Sequence, residues 1–274
     1  MPNRVYYHPG KGGEPINLDG DGIYVGTGGG LRSHEWNREL SVRTLTGASL
    51  GMREVEVECI CTDDGANALR RAADADLAAS APGTIQVDGE WNMRCYIVES
   101  ATVDAFRDHV ALRLKAALVD RFWWREKSRH FVTGLDASGL DHEYDFEYDL
   151  SFSVGSGQVP VDSPQGALPR ITFYGPCTNP YVIIGSNRYE VDVQVLSDHT
   201  CTIDATSSRP TATLADNQGN SQSVFSSAVR TGGKGGGSYA FEPLPHGTNT
   251  VQWSGAFAFD VTWHEMDTEP PWAH

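Results

Sequence analysis

The chain reads as mainly β, with two domains of unlike texture: an α+β amino-terminal domain and an all-β carboxy-terminal sandwich. Three observations predict this. The length of 274 residues exceeds the usual single-domain size of roughly 100–200 residues. One stretch alone, about Asp64 to Ser80, carries a convincing helical pattern. From residue 170 onward, short apolar-alternating runs recur at roughly ten-residue spacing between Gly, Asn, Asp and Pro corners.

The elements follow in order. Residues 1–35 hold Gly at 10, 12, 13, 20, 22, 26, 28, 29 and 30, and read as an irregular arm. Residues 36–157 form the first domain. Two short strand patterns fill 36–62, and Arg53–Ile60 alternates acid and apolar residues, placing Val55, Val57 and Cys59 inward. The helix follows, capped by Asp63 or Asp64, with Leu69, Ala73 and Leu77 on one stripe and Pro82-Gly83 as its stop. Strands are expected at Thr84–Val87, at Trp91–Glu99 and over 109–119, where alternation and the aromatic Phe122–Trp124 favour strand over helix.

Asp141 to Val154 reads as a long two-faced strand. Asp141, Glu143, Asp145, Glu147 and Asp149 share one face; Tyr144, Phe146, Tyr148, Leu150 and Phe152 share the other. Carboxylates about 7 Å apart along a strand stay ionised only beside water or cations. Residues 158–169, with Pro160, Pro164 and Pro169, read as a linker. The sandwich spans 170–265, and 266–274 form a tail.

Composition excludes several function classes. The formal net charge is −15 and both halves are acidic, so no basic face exists to clamp phosphates. No run of about 18 apolar residues suggests a membrane span. Met1 to Glu14 has no apolar core of a secretory signal. The five cysteines, Cys59, Cys61, Cys95, Cys177 and Cys201, form no C-x-x-C pair, and read as buried thiols of a reducing compartment. No metal-ligand spacing or cofactor motif is present.

Tempting motifs dissolve under inspection. Gly47–Gly51 spells G-x-S-x-G, but a strand follows where a nucleophile elbow needs a helix, so Ser49 is read as a turn residue. Asn17–Gly22 opens like a calcium loop, yet position twelve is Gly28 where a bidentate Glu is required. It reads as a turn or recognition loop. The Gly-rich runs 26–30 and 232–237 lead into no helix and cradle no phosphate. Trp253 and Trp263 are the candidate glycan contacts, although tryptophan in a sandwich more often fills the core.

The carboxy-terminal phrases resemble the distal tail proteins of long, flexible-tailed bacteriophages. Ile203-Asp204 ends a strand; Arg209, Thr211–Leu214 and an Asp216–Gly219 turn follow. Then Leu244–Gly247, with Asn249, Val251 and Trp253, matches that family's proline-x-glycine, asparagine, tryptophan hairpin. The order of elements over 53–99 and the Asp120–Trp124 segment are similar to the family's belt domain, with Asp-Arg where Asp-Pro is usual. The fold-signature residues are thus Asp204, Arg209, Gly219, Gly247, Asn249 and Trp253.

The resemblance implies a structural virion component and no enzyme. It implies a six-subunit ring at the tail tip, between tail tube and hub proteins, assembled in the host bacterial cytoplasm. Belt domains would build the ring, a galectin-like sandwich would project outward, and DNA would cross the lumen without specific binding. The acidic row 141–149 is then the candidate lumen or cleft face. Competing readings are a carbohydrate-binding module for adsorption, another tail-tube-like virion protein, or a cell-wall hydrolase.

Overall fold

The computed structural model describes residues 5–20, 22–26, 29–133, 156–207 and 209–271. Within them the chain is mostly β, in antiparallel sheets, with one α-helix. It divides into two compact units, 1–125 with 266–274, and 126–265. These bounds differ from the expected 36–157 and 170–265: the arm and the tail both belong to the first unit.

The first unit contains β1 (Val5–His8), β2 (Ile16–Asn17), β3 (Ile23–Tyr24), β4 (Asn37–Leu40), β5 (Leu45–Ser49), β6 (Arg53–Cys61), α1 (Asp63–Ala79), β7 (Gly83–Val87), β8 (Trp91–Ala105) and β9 (Val110–Leu118). Its sheet runs β2-β1-β7-β8-β9-β6-β3. As the alternation predicts, Val55, Val57 and Cys59 are buried while Glu54, Glu56 and Glu58 are exposed. The ambiguous segment 110–118 is strand, with Leu112, Leu114, Ala116 and Leu118 inward.

Helix α1 is capped by Thr62, whose side chain accepts from the Gly65 amide, rather than by Asp63 or Asp64. The two aspartates occupy the first turn, where the helix dipole favours them. Leu69 and Ala73 are buried as expected. Leu77 is exposed, and the inward position in the last turn is Asp76. Asp76 is fully buried and accepts from the Tyr7 hydroxyl at 2.6 Å, the Gly10 amide at 3.0 Å and the Lys11 amide at 2.9 Å. Burial, and then this bond to a carboxylate, raise the Tyr7 phenol far above its ordinary range. The expected irregular arm is therefore anchored: Val5 and Tyr7 lie in the core, and β1 pairs with β7 along its length. Close packing depends on Gly83, since a Cβ there would stand 2.4 Å from the Tyr7 hydroxyl.

The tail joins the same unit through one buried and one half-buried cation. Arg32 reaches Asp88 at 2.7 Å and donates to the carbonyls of Pro270, at 2.9 Å, and Pro271. Arg53 donates to the carbonyl of Thr268 at 3.1 Å.

The second unit begins within β10 (Trp123–Phe131). It continues through β11 (Ser156–Val161), β12 (Ala167–Tyr174), β13 (Cys177–Thr178), β14 (Tyr181–Ile184), β15 (Asn187–Glu190), β16 (Gln194–Val195), β17 (Thr200–Asp204), β18 (Thr211–Ala215), β19 (Ser221–Ser223), β20 (Arg230–Thr231), β21 (Ser238–Tyr239), β22 (Gly247–Gln252) and β23 (Phe259–Asp267). One sheet runs β19-β18-β17-β12-β23-β10 and the other β11-β22-β14-β15. Their inner faces share one core, in which Phe131 stacks on Phe259 at 4.7 Å and Phe173 meets Phe257 edge-on. The expected linker at 158–169 is instead strand at both ends, with Val159, Val161 and Ala167 buried.

Candidate assembly surfaces

The fold-signature residues of the second unit hold its corners. Asp204 ends β17 and accepts from the Thr206 amide and hydroxyl, at 2.8 and 2.6 Å, and from Arg170 at 2.9 Å. Burial pushes its carboxyl up, but these donors and the Arg170 charge outweigh it and hold the group below the ordinary carboxylate value. Gly219 adopts φ +85°, completing a turn in which Asp216 accepts from the amides of Gln218 and Asn220. Gly247 opens β22 at φ +105°. Such left-handed conformations suit glycine because they crowd a Cβ.

Asn249 is buried, and its side-chain amide donates to the carbonyls of Pro245 and Gly247 at 3.0 and 3.2 Å and towards that of Val159 at 3.4 Å. It ties the turn before β22 to β11. Trp253 donates from its indole to the Phe257 carbonyl and packs edge-on against Phe131 and Phe259. Arg209 is exposed beside the Ser207 hydroxyl, which donates to its carbonyl. Apart from Arg209, the signature residues are structural fixtures. Trp263, the other candidate glycan contact, is 3 % exposed and offers no face to a sugar.

The first unit has a different surface. On the outward face of its sheet, Arg113 lies 3.3 Å from Glu58 and 3.9 Å from Glu56. Lys115 lies 3.2 Å from Glu99 and 4.0 Å from Glu54. Four carboxylates thus surround two cations, leaving the face acidic. Exposed pairs of this kind add little stability, so the ladder acts mainly through its field.

Strands β4 and β5 pair with each other in a two-stranded sheet of their own. Every residue from Asn37 to Ser49 except Gly47 is exposed. Leu40, Val42 and Leu45 are 69, 99 and 57 % exposed. At the other end of β6, Tyr24, Ile60, Val103, Ala111 and Leu112 line an apolar groove of about 340 Å3, with Glu58 at its edge. Ten of the twelve large hydrophobic side chains exposed among the described residues belong to the first unit. Sequence reading missed these, because apolar residues in a strand pattern are assigned inward.

Other nominated residues are simpler. The acidic row Asp141, Glu143, Asp145, Glu147 and Asp149 lies outside the described residues. Ser49 ends β5 opposite Asn37, in strand rather than turn, and β6 follows it. The Asn17 side chain accepts from the Asp19 amide, an Asx turn joining β2 to β3. The five cysteines are free, all buried except the half-buried Cys177. Burial pushes the Cys95 thiol up to about 12 and the Cys177 thiol up to about 11, so both are protonated at neutral pH. Cys59 and Cys61 share a face with sulfurs 3.4 Å apart; their hydrogen bond, then burial, raises the Cys59 thiol. No group of three or more metal-ligating side chains assembles among the described residues. No described helix is long and apolar enough to cross a membrane.

No family model matches the chain, and no curated protein matches it. Solved structures do. The Dit protein of phage SPP1, described as a paradigm of the hub adsorption apparatus in phages infecting Gram-positive bacteria, matches with a TM-score of 0.57 and 15% identity over 97% of this chain and all of that one. A chain of the phage P2 baseplate in its activated conformation with calcium matches with a TM-score of 0.64 and 9% identity over 98% and 100% of the two chains. The strontium form gives 0.61 and 8% over 98% and 99%. At these identities the likeness is one of fold, and it embraces both units.

Proposed function

We propose that the chain is a structural component of a bacteriophage tail tip. The observation that carries this reading is the span of the likeness: essentially the whole chain, both units in the same order, matches whole chains of a hub adsorption protein and of baseplates. A common fold such as a sandwich hosts many functions, so the reading rests on a likeness that spans both units rather than on the sandwich alone. The finer reading is a self-associating ring, hexameric as in the distal tail family, between tail tube and hub proteins. DNA crosses its lumen without specific binding. The protein acts in the virion after assembly in the host cytoplasm, and its role is architectural rather than catalytic.

The surfaces support this assignment of roles. The first unit exposes apolar side chains and an acidic sheet face, as a ring-forming wall would. An acidic wall repels the phosphate backbone and leaves a passing duplex unheld. The second unit directs its aromatics inward and fits a projecting module.

Cryo-electron microscopy of intact tails tests the reading. Density for this fold in a ring at the tip, below the last tube ring, is the expected result. Its location in the capsid, or its absence from purified particles, would overturn it.

A further inference from the structure

The sandwich carries a polar cleft of about 350 Å3 between the turn from β16 to β17 and the β18–β19 hairpin. We infer that this cleft binds a neutral saccharide, with an apolar ring face on Leu196 and hydroxyls on Gln194, Gln222, Ser221 and His199. The inference goes beyond the tail-tip reading and does not depend on it.

Both walls are held in place before a ligand arrives. On one, Asp216 accepts from the amides of Gln218 and Asn220, each at 2.9 Å, and from the Asn220 side chain at 2.9 Å. The Asp216 amide donates to the Asn220 carbonyl at 3.0 Å. On the other, the His199 amide donates to the Leu196 carbonyl at 3.1 Å, and the Gly175 amide to the His199 carbonyl at 3.0 Å. Only glycine allows this approach, since a Cβ on Gly175 would collide with the Leu196 carbonyl oxygen. A site whose walls are already fixed loses little entropy on binding.

The lining is two-natured. Leu196 is 52 % exposed, and the half-buried Leu214 and Ala215 line the same cleft. The other lining groups are polar with unspent capacity. The side chains of Gln194, Gln222 and Ser221 make no hydrogen bond among the described residues. Each carboxamide both donates and accepts. His199 Nδ1 lies 2.9 Å from the Ser197 carbonyl, which can only accept. The proton of the neutral ring is therefore on Nδ1, and Nε2 is left as an acceptor.

This chemistry selects the ligand class. Among the described residues that line the cleft, none is lysine, arginine or aromatic, and Asp216 adds a carboxylate to a chain of net charge −15. Phosphates and carboxylates are repelled, and a nucleobase finds no ring to stack on. An acyl chain would strip water from Gln194 and Gln222 and return no hydrogen bond. A pyranose meets each requirement. Its C–H groups give it an apolar face, and its hydroxyls both donate and accept. The volume admits about one or two such rings. An extended peptide gains affinity by adding a strand to a sheet edge. The edge available here is β19, which ends its sheet among the described residues and is only 3 residues long.

The test is an NMR titration of the full chain with maltose, lactose and N,N′-diacetylchitobiose, each to about 50 mM, a range suited to dissociation constants of about millimolar order. At least one sugar is expected to give saturable shifts at the backbone amides of Leu196, His199 and Gln222 and at the side-chain amides of Gln194 and Gln222. Inorganic phosphate is expected to give none. A variant carrying Gln194→Ala and Gln222→Ala should bind about tenfold more weakly. Both side chains are exposed and unbonded, so its melting profile should match the native one. Leu196→Asp, which removes the apolar contact, should weaken binding to a similar degree. No saturable shift with any of the sugars, shifts confined to another surface, or undiminished affinity in both variants would overturn the inference. Saturable shifts with tetraalanine amide and none with sugar would also overturn it and assign the cleft to peptide. Sugar binding by a chain absent from purified particles would support the site and remove the tail-tip reading. A chain found at the tail tip that binds no sugar would do the reverse.

Discussion

The second unit turns its apolar groups inward, and the first leaves many of them outside. In the sandwich, Phe131, Phe173, Phe257, Phe259 and Trp263 meet in one core, and Asp204, Gly219, Gly247, Asn249 and Trp253 each satisfy a local backbone or packing need. In the first unit a core of its own, with Trp123 and Tyr7 fully buried, coexists with Leu40, Val42, Leu45, Met52, Ile60 and Phe106 exposed. A unit that has finished its folding problem and still exposes aliphatic surface is prepared for a partner. On the proposed tail-tip reading, the sandwich is the presenting module and the sheet-and-helix unit the assembling one.

That contrast can be broken at several strengths. The largest effect should come from Asp76→Ala, which leaves the Tyr7 hydroxyl and the Gly10 and Lys11 amides without their shared acceptor. A loss of about 3 kcal/mol is expected. Hydrogen exchange should quicken in β1 and β7 and stay unchanged in β12 and β17. Equal quickening in both units would erase the distinction between them. Asn249→Ala is the mirror experiment. It removes the donor for three carbonyls and should cost the sandwich about 2 kcal/mol by denaturant titration, with exchange rising in β11 and β22.

A pH test comes next. Asp204 is held below its ordinary value in the fold, so its contribution is complete above the unfolded carboxyl value of about 3.9 and is lost as pH falls through the lower folded value. Asp204→Asn should therefore flatten the acid side of the sandwich's stability profile and leave the region above about pH 5 without that slope. An unchanged acid limb would mean the carboxylate is not held as described. The smallest effect belongs to the outward ladder: Arg113→Ala should change stability by less than about 0.5 kcal/mol by thermal melting. A larger loss would show that the acidic face is structural rather than available.

Much of the fold was legible where burial is one-sided. The alternation of β6 and β9 reports directly which face is covered, since each strand has one wet and one dry side. The helix was legible too, but its cap was not: Thr62, Asp63 and Asp64 are all good caps, and tertiary position chose the first. The arm misled because glycines dominate it, while β1 is made by pairing with β7 and by Asp76, both distant in sequence. The supposed linker misled in the same way. Its prolines suggest an open chain, yet β11 pairs with β22 and, among the described residues, lies at the end of its sheet, a position where a strand tolerates Pro160. The candidate surfaces were the least legible. Leu40 and Val42 look like core in a sequence, and only the isolation of their hairpin reveals that nothing in the described chain covers them.

Oxidative footprinting of the free chain and of the chain in assembled tails tests the central assignment most directly. The account predicts that Leu40, Met52, Ile60 and Phe106 label strongly in the free protein and are protected in the particle, while the sandwich's Leu196, 52 % exposed, labels alike in both. Full labelling of the first unit in the particle, with protection at Leu196 instead, would contradict it.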